Sequence, residues 1–128
     1  MTKRILIVED NADIRTLIRM TLEFEFYEIH ETANAQEGLD AIRRLQPELI
    51  LLDIMMPGEM DGLDLCRMVK NDPSLGSPQV VLLTARAQSK DIEVGMNAGA
   101  DAYLVKPFST RQLIATVDNL GIQSTEIT

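Results

Sequence analysis

Glu9 and Asp10 follow directly on the apolar run Ile5-Leu6-Ile7-Val8, and Asp53 follows directly on Leu49-Ile50-Leu51-Leu52. Thr84 closes Val80-Val81-Leu82-Leu83, and Lys106 closes Tyr103-Leu104-Val105. Runs of this length and composition predict strands. In a parallel sheet all four ends open on one edge, which then carries three carboxylates, a hydroxyl and one ammonium. Three carboxylates at close range repel one another, and a hard divalent cation relieves that repulsion through oxygen ligands. An acidic cation pocket with one lysine and one hydroxyl suits phosphoryl chemistry.

The intervening segments must return the chain between strands. Ile14, Leu17, Ile18 and Leu22 recur at helical spacing and predict one apolar helix face. Tyr27 to Thr32 alternates apolar and polar, as a half-exposed edge strand does. Asn34 with Glu37 predicts a capping box ahead of a helix that buries Leu39, Ile42 and Leu45. The unbroken apolar character of 49–52 predicts a central strand covered on both faces. A third helix begins near Asp61 and ends before Asn71-Asp72-Pro73, and a fourth spans about Gln88 to Asn97. Ser109 with Gln112 predicts a last capping box, with Leu113, Val117 and Leu120 facing inward. Five strands alternating with five helices make an α/β domain with a doubly wound parallel sheet. Sites in such folds lie outside the carboxyl ends of the strands, where Glu9, Asp10, Asp53, Thr84 and Lys106 all fall.

The 128 residues suit one domain, read as 1–121, with a polar tail at 122–128. A net charge of −8 disfavours direct binding to nucleic acid or to anionic membranes, both of which need clustered Lys and Arg. The first apolar run is too short for a signal peptide or a membrane span, so a cytoplasmic location is expected. Cys66 is the single cysteine and sits in an apolar stretch, which predicts a small buried hydrophobe. His30, the single histidine, is expected on the surface of the edge strand. Most of the seven methionines are expected to fill gaps in the core.

The set Val8-Glu9-Asp10, Leu51 to Pro57, Asp61-Gly62, Leu83-Thr84-Ala85, Gly99-Ala100-Asp101 and Lys106-Pro107-Phe108 resembles the receiver domain of two-component response regulators. The resemblance covers about Lys3 to Leu120 and implies the CheY-like, flavodoxin-like fold with strand order 2-1-3-4-5. It implies that Asp53 accepts a phosphoryl group from a sensor histidine kinase or a histidine phosphotransfer protein. It implies Mg²⁺ held by Asp10, Asp53 and the Met55 backbone carbonyl, with Glu9 acting through water. Lys106 would pair with Asp53, Thr84 would bond a phosphoryl oxygen, and the Ala85 backbone N–H would donate to another. Tyr103 would turn inward with Thr84 as a switch and change the surface of the fourth helix, fifth strand and fifth helix. That surface would govern an effector and a possible weak dimer of an otherwise monomeric chain. The Lys106–Pro107 bond would be cis.

Two departures stand out. Gly58, Glu59 and Met60 fill a loop where the family pattern has two residues, which could alter metal geometry or kinase docking. Met55 and Arg86 occupy the variable positions two past the aspartate and two past the threonine, and Met55 is expected to hinder water near an acyl phosphate. Two other classes compete. A flavodoxin-type carrier would place a flavin phosphate where Glu9 and Asp10 repel it. An aspartate-nucleophile phosphatase of the haloacid-dehalogenase type would want a second aspartate where Met55 stands. Within the receiver reading, the alternative to a single-domain regulator is a receiver cut from a longer chain with a DNA-binding or enzymatic output.

Overall fold

The computed structural model describes residues 3–23, 27–85 and 88–121. Arg86 and the polar tail at 122–128 lie outside the described residues. The elements run β1 (Lys3–Val8), α1 (Ala12–Leu22), β2 (Tyr27–Thr32), α2 (Ala35–Leu45), β3 (Leu49–Asp53), α3 (Gly62–Asn71), β4 (Gln79–Thr84), α4 (Ser89–Asn97), β5 (Ala102–Val105) and α5 (Thr110–Asn119). A short 3₁₀ turn at Pro73–Leu75, which the sequence reading lacks, follows α3. All strand pairs are parallel, in the order β2-β1-β3-β4-β5.

The period-two alternation of strands divides the core into two layers. Leu6, Val8, Ile50, Leu52, Val80 and Leu82 pack against Leu39 and Ile42 of α2 and Leu65, Cys66 and Val69 of α3. Ile5, Ile7, Leu49, Leu51, Val81 and Leu83 pack against Ile18 and Leu22 of α1 and Leu113 and Val117 of α5. Every residue of β3 is buried, as its unbroken apolar run predicts.

The helix starts are held by side chains. Asn11 accepts from the backbone N–H groups of Asp13 and Ile14, and Asn34 accepts from Glu37. The box predicted at Asn34 is incomplete, because the Glu37 carboxylate reaches the N–H of Ala33 rather than that of Asn34. Full boxes form at Asp61/Asp64 and at Ser109/Gln112. Asp101, just before β5, ties β4 to α3: one carboxylate oxygen accepts from Val80 N–H at 2.7 Å and from Lys70 Nζ at 2.6 Å.

The methionines are mostly outside: Met20, Met55, Met68 and Met96 are exposed, whereas Met56 is buried and Met60 partly so. An apolar side chain reads as core in sequence, but these four stand on the outer faces of helices or on a loop. Leu17 is exposed for the same reason, one position off the buried stripe of α1. Cys66 is fully buried, and burial pushes its thiol up to about 11, which makes it unreactive. His30 sits half-buried on edge strand β2 and meets Glu28 at 2.7 Å.

Candidate functional site

Three backbone bonds carry the sheet ladders one step past the strand ends. Glu9 N–H donates to Thr32 O, Ile54 N–H to Leu83 O, and Lys106 N–H to Thr84 O. These bonds bring the carboxylates of Glu9, Asp10 and Asp53 together, each with an oxygen within 4.8 Å of the others. Glu9 and Asp53 are buried and Asp10 is exposed at the mouth. Asn11 turns the chain into α1 immediately after Asp10, and its N–H donates to Glu9 Oε2 at 3.1 Å.

Lys106 lies between two carboxylates. Its Nζ is 2.6 Å from Glu9 Oε1 and 3.3 Å from Asp53 Oδ1. The pairing with Asp53 is present as expected, but the shorter contact is to Glu9. Glu9 is therefore a buried, ion-paired group. Asp53 Oδ1 also accepts from Met55 N–H at 3.2 Å, which sets the carboxylate against its own loop. Burial drives the Glu9 carboxyl up to about 7, against the opposing pull of Lys106 and the Asn11 N–H. Burial raises Asp53 as well, again opposed by Lys106.

Thr84 is fully buried at the end of β4, and Ala85 follows it, exposed. The Lys106–Pro107 bond is cis, as the resemblance implies. Tyr103 is half-buried beside α4, where Gly95 makes room: a Cβ there would lie 2.9 Å from Leu82 Cδ1 and 3.1 Å from Tyr103 Cε2. Gly62 opens α3 directly beneath Asp53, and a Cβ on it would fall 2.1 Å from the Asp53 carbonyl oxygen. The longer loop at Gly58-Glu59-Met60 lines a groove with Ala33, Asn34, Ala35 and Gln36, which follow the end of β2.

The donor set fits a hard divalent cation. It offers three carboxylates of which one, Glu9, keeps a buried oxygen that has the Lys106 ion pair but no directed hydrogen bond. Oxygen donors of this kind suit Mg²⁺. The sequence marks the carboxylates, the threonine and the lysine. It does not mark the Met55 N–H, the Glu9–Lys106 contact or the packing of Gly62, since none of these leaves a pattern beyond residue identity.

Parallel strands in this order with three carboxylates and a lysine at one edge define a doubly wound α/β domain with an acidic site outside its strand ends. Comparison with known proteins gives the family: residues 5–118 match the response regulator receiver domain, and the chain belongs to that family. The DNA-binding response regulator MtrA of Mycobacterium tuberculosis strain H37Rv is 38% identical over 117 residues, covering 91% of this chain and 50% of its own. The transcriptional regulatory protein ResD of Bacillus subtilis is 40% identical, covering 91% and 47%. The chain thus spans about half the length of these curated relatives. Among solved structures, a putative response regulator from Chloroflexus aurantiacus superposes with a TM-score of 0.87 at 30% identity, covering 94% of this chain and 98% of that one. A CheY-like receiver domain protein from Methanospirillum hungatei gives 0.83 at 36% identity, covering 94% of each. The chain is a receiver domain of two-component response regulators, with a signalling role. None of its described helices is long and apolar enough to cross a membrane.

Proposed function

We propose that Asp53 is the phosphoacceptor, taking a phosphoryl group from a histidine kinase or histidine phosphotransfer protein in the cytoplasm. The observation that carries this reading is the placement of Asp53: buried, 3.3 Å from Lys106 and within the carboxylate cluster. An Asp53 carboxylate oxygen attacks phosphorus, the P–N bond to the donor imidazole breaks, and its electron pair returns to the ring nitrogen. Asp10, Asp53 and the Met55 carbonyl would hold Mg²⁺, with Glu9 acting through water. The ion, when bound, supplies positive charge that screens the carboxylates from the incoming phosphoryl group. Lys106 follows the charge, moving from the carboxylates to a phosphoryl oxygen. Thr84 and the Ala85 N–H complete the oxygen contacts. Tyr103 then responds to the shift of Thr84, and the α4-β5-α5 face changes its affinity for a partner or for a second copy. The relatives named for DNA binding and transcriptional regulation are about twice as long, which supports an output carried by a partner domain rather than by this one.

Intact mass after incubation with acetyl phosphate tests this. Wild type is expected to gain about 80 Da, one phosphoryl group, only with Mg²⁺ present. Asp53→Asn is expected to gain nothing. A gain that persists in Asp53→Asn rules out the assignment.

Met55 is more than half exposed, and its backbone N–H donates to the Asp53 carboxylate; on this reading its side chain would cover the approach of water. Met55→Asn replaces an apolar shield by a group that can hold a water. Phosphate release from the phosphorylated protein is expected to speed up about tenfold, equivalent to about 1.4 kcal/mol off the barrier. An unchanged release rate would show that Met55 does not shield.

A further inference from the structure

We infer that Arg15 is a positioning residue for the acidic pocket, braced by Glu31 on β2 and holding the peptide that joins Glu9 to Asp10. Arg15 Nη1 donates to the Glu9 carbonyl at 2.6 Å. Its Nε meets Glu31 Oε1 at 3.3 Å. The guanidinium is a rigid planar fork, so fixing one edge on Glu31 fixes where the other edge points. The Glu9 carbonyl belongs to the peptide that sets the angle between the two carboxylate-bearing residues. Rotation of that peptide would swing the exposed Asp10 away from the buried Glu9 and Asp53.

Arg19 supplies a built-in comparison one helical turn on. It pairs with the other oxygen of Glu31, and its Nη2 donates to Ile29 O at 3.1 Å. Both arginines therefore stitch α1 to β2 through the same carboxylate, but only Arg15 reaches the backbone of the pocket. Residues that hold metal ligands from behind typically cost about 10–100-fold in metal affinity when removed. Charge alone acts in the opposite direction, since deleting a cation beside three carboxylates raises their affinity for another cation.

This inference rests on the reading of the pocket as a Mg²⁺ site, and the test separates the two. The full chain is titrated with MgCl₂ while the backbone amide shifts of Asn11 and Met55 are followed, alongside thermal unfolding of each variant. Arg15→Ala is expected to weaken Mg²⁺ binding about tenfold, Arg19→Ala to leave it within about twofold, and both to lose similar thermal stability. Arg15→Lys, which keeps the charge but lacks the fork, should fall between wild type and Arg15→Ala. Wild type showing no Mg²⁺-dependent shifts would overturn the metal reading and this inference with it. Wild type binding normally while Arg15→Ala binds as well or better would overturn the inference alone, leaving Arg15 as a helix brace. Should Arg15→Ala fail to fold, unchanged affinity in Arg15→Lys overturns it equally.

Discussion

Lys106→Met is expected to lose stability in a manner that grows with pH. In the folded protein burial raises the Glu9 carboxyl from 4.5 to about 7, so the folded state holds that proton more tightly than the unfolded chain. Its contribution is favourable at low pH and is lost as pH rises through the folded value. Asp53 is shifted in the same direction. Lys106 opposes both shifts, with contacts of 2.6 and 3.3 Å. Removing it pushes the folded values higher still, so the loss continues to a higher pH than in wild type. Near pH 5, at about the unfolded value, Glu9 is largely protonated in both folded proteins and the difference should be small. Near pH 8.5 the deficit should approach about 3–5 kcal/mol, the usual cost of leaving a buried carboxylate without its cation. Urea unfolding in metal-free buffer at the two pH values measures this. A deficit independent of pH would mean that the lysine acts by packing alone, and the double variant Glu9→Gln/Lys106→Met should flatten the dependence.

Gly62→Ala is expected to destabilise strongly, against the general preference of helices for alanine. In an ordinary helix that change stabilises by about 0.5–1 kcal/mol. Here the added Cβ would lie 2.1 Å from the Asp53 carbonyl oxygen and 2.8 Å from Asp53 C and Ile54 Cα. All three are backbone atoms, so no flexible side chain can yield. The Gly62 N–H also donates to Ile54 O at 3.0 Å, which holds the start of α3 against the end of β3. Either α3 backs away or Asp53 moves, and we expect a loss of about 3 kcal/mol. Gly58→Ala provides the contrast. It has a φ of +116° but nothing within 4 Å, so it should cost only about 1–2 kcal/mol of backbone strain. Midpoints of urea unfolding rank the two, and a Gly62→Ala protein as stable as wild type would contradict the close approach.

The strands and their chemistry were legible because both are written in residue identity. Continuous apolar runs such as Leu49 to Leu52 mark buried strands, and the polar residue that ends each run marks the edge where the site lies. The geometry among those residues was less legible. Lys106 could be matched to Asp53 on resemblance, but its shorter contact to Glu9 depends on how far each side chain reaches across β1 and β3. The Arg15 bond ends on a backbone carbonyl, which every residue has, so no sequence signal distinguishes it. The methionines misled because an apolar side chain carries no mark of which helix face it occupies, and Leu17 misled by a single step around α1.

The arrangement of sulfur has a consequence for redox chemistry. Thioethers at Met20, Met55, Met68 and Met96 stand at the surface, while the one thiol is sealed under α3. A peroxide reaching this protein meets methionine before cysteine, so mild oxidation is recorded as reversible sulfoxide and not as a disulfide between copies. At Met55 the same event would put a polar S=O on the residue whose N–H donates to the Asp53 carboxylate.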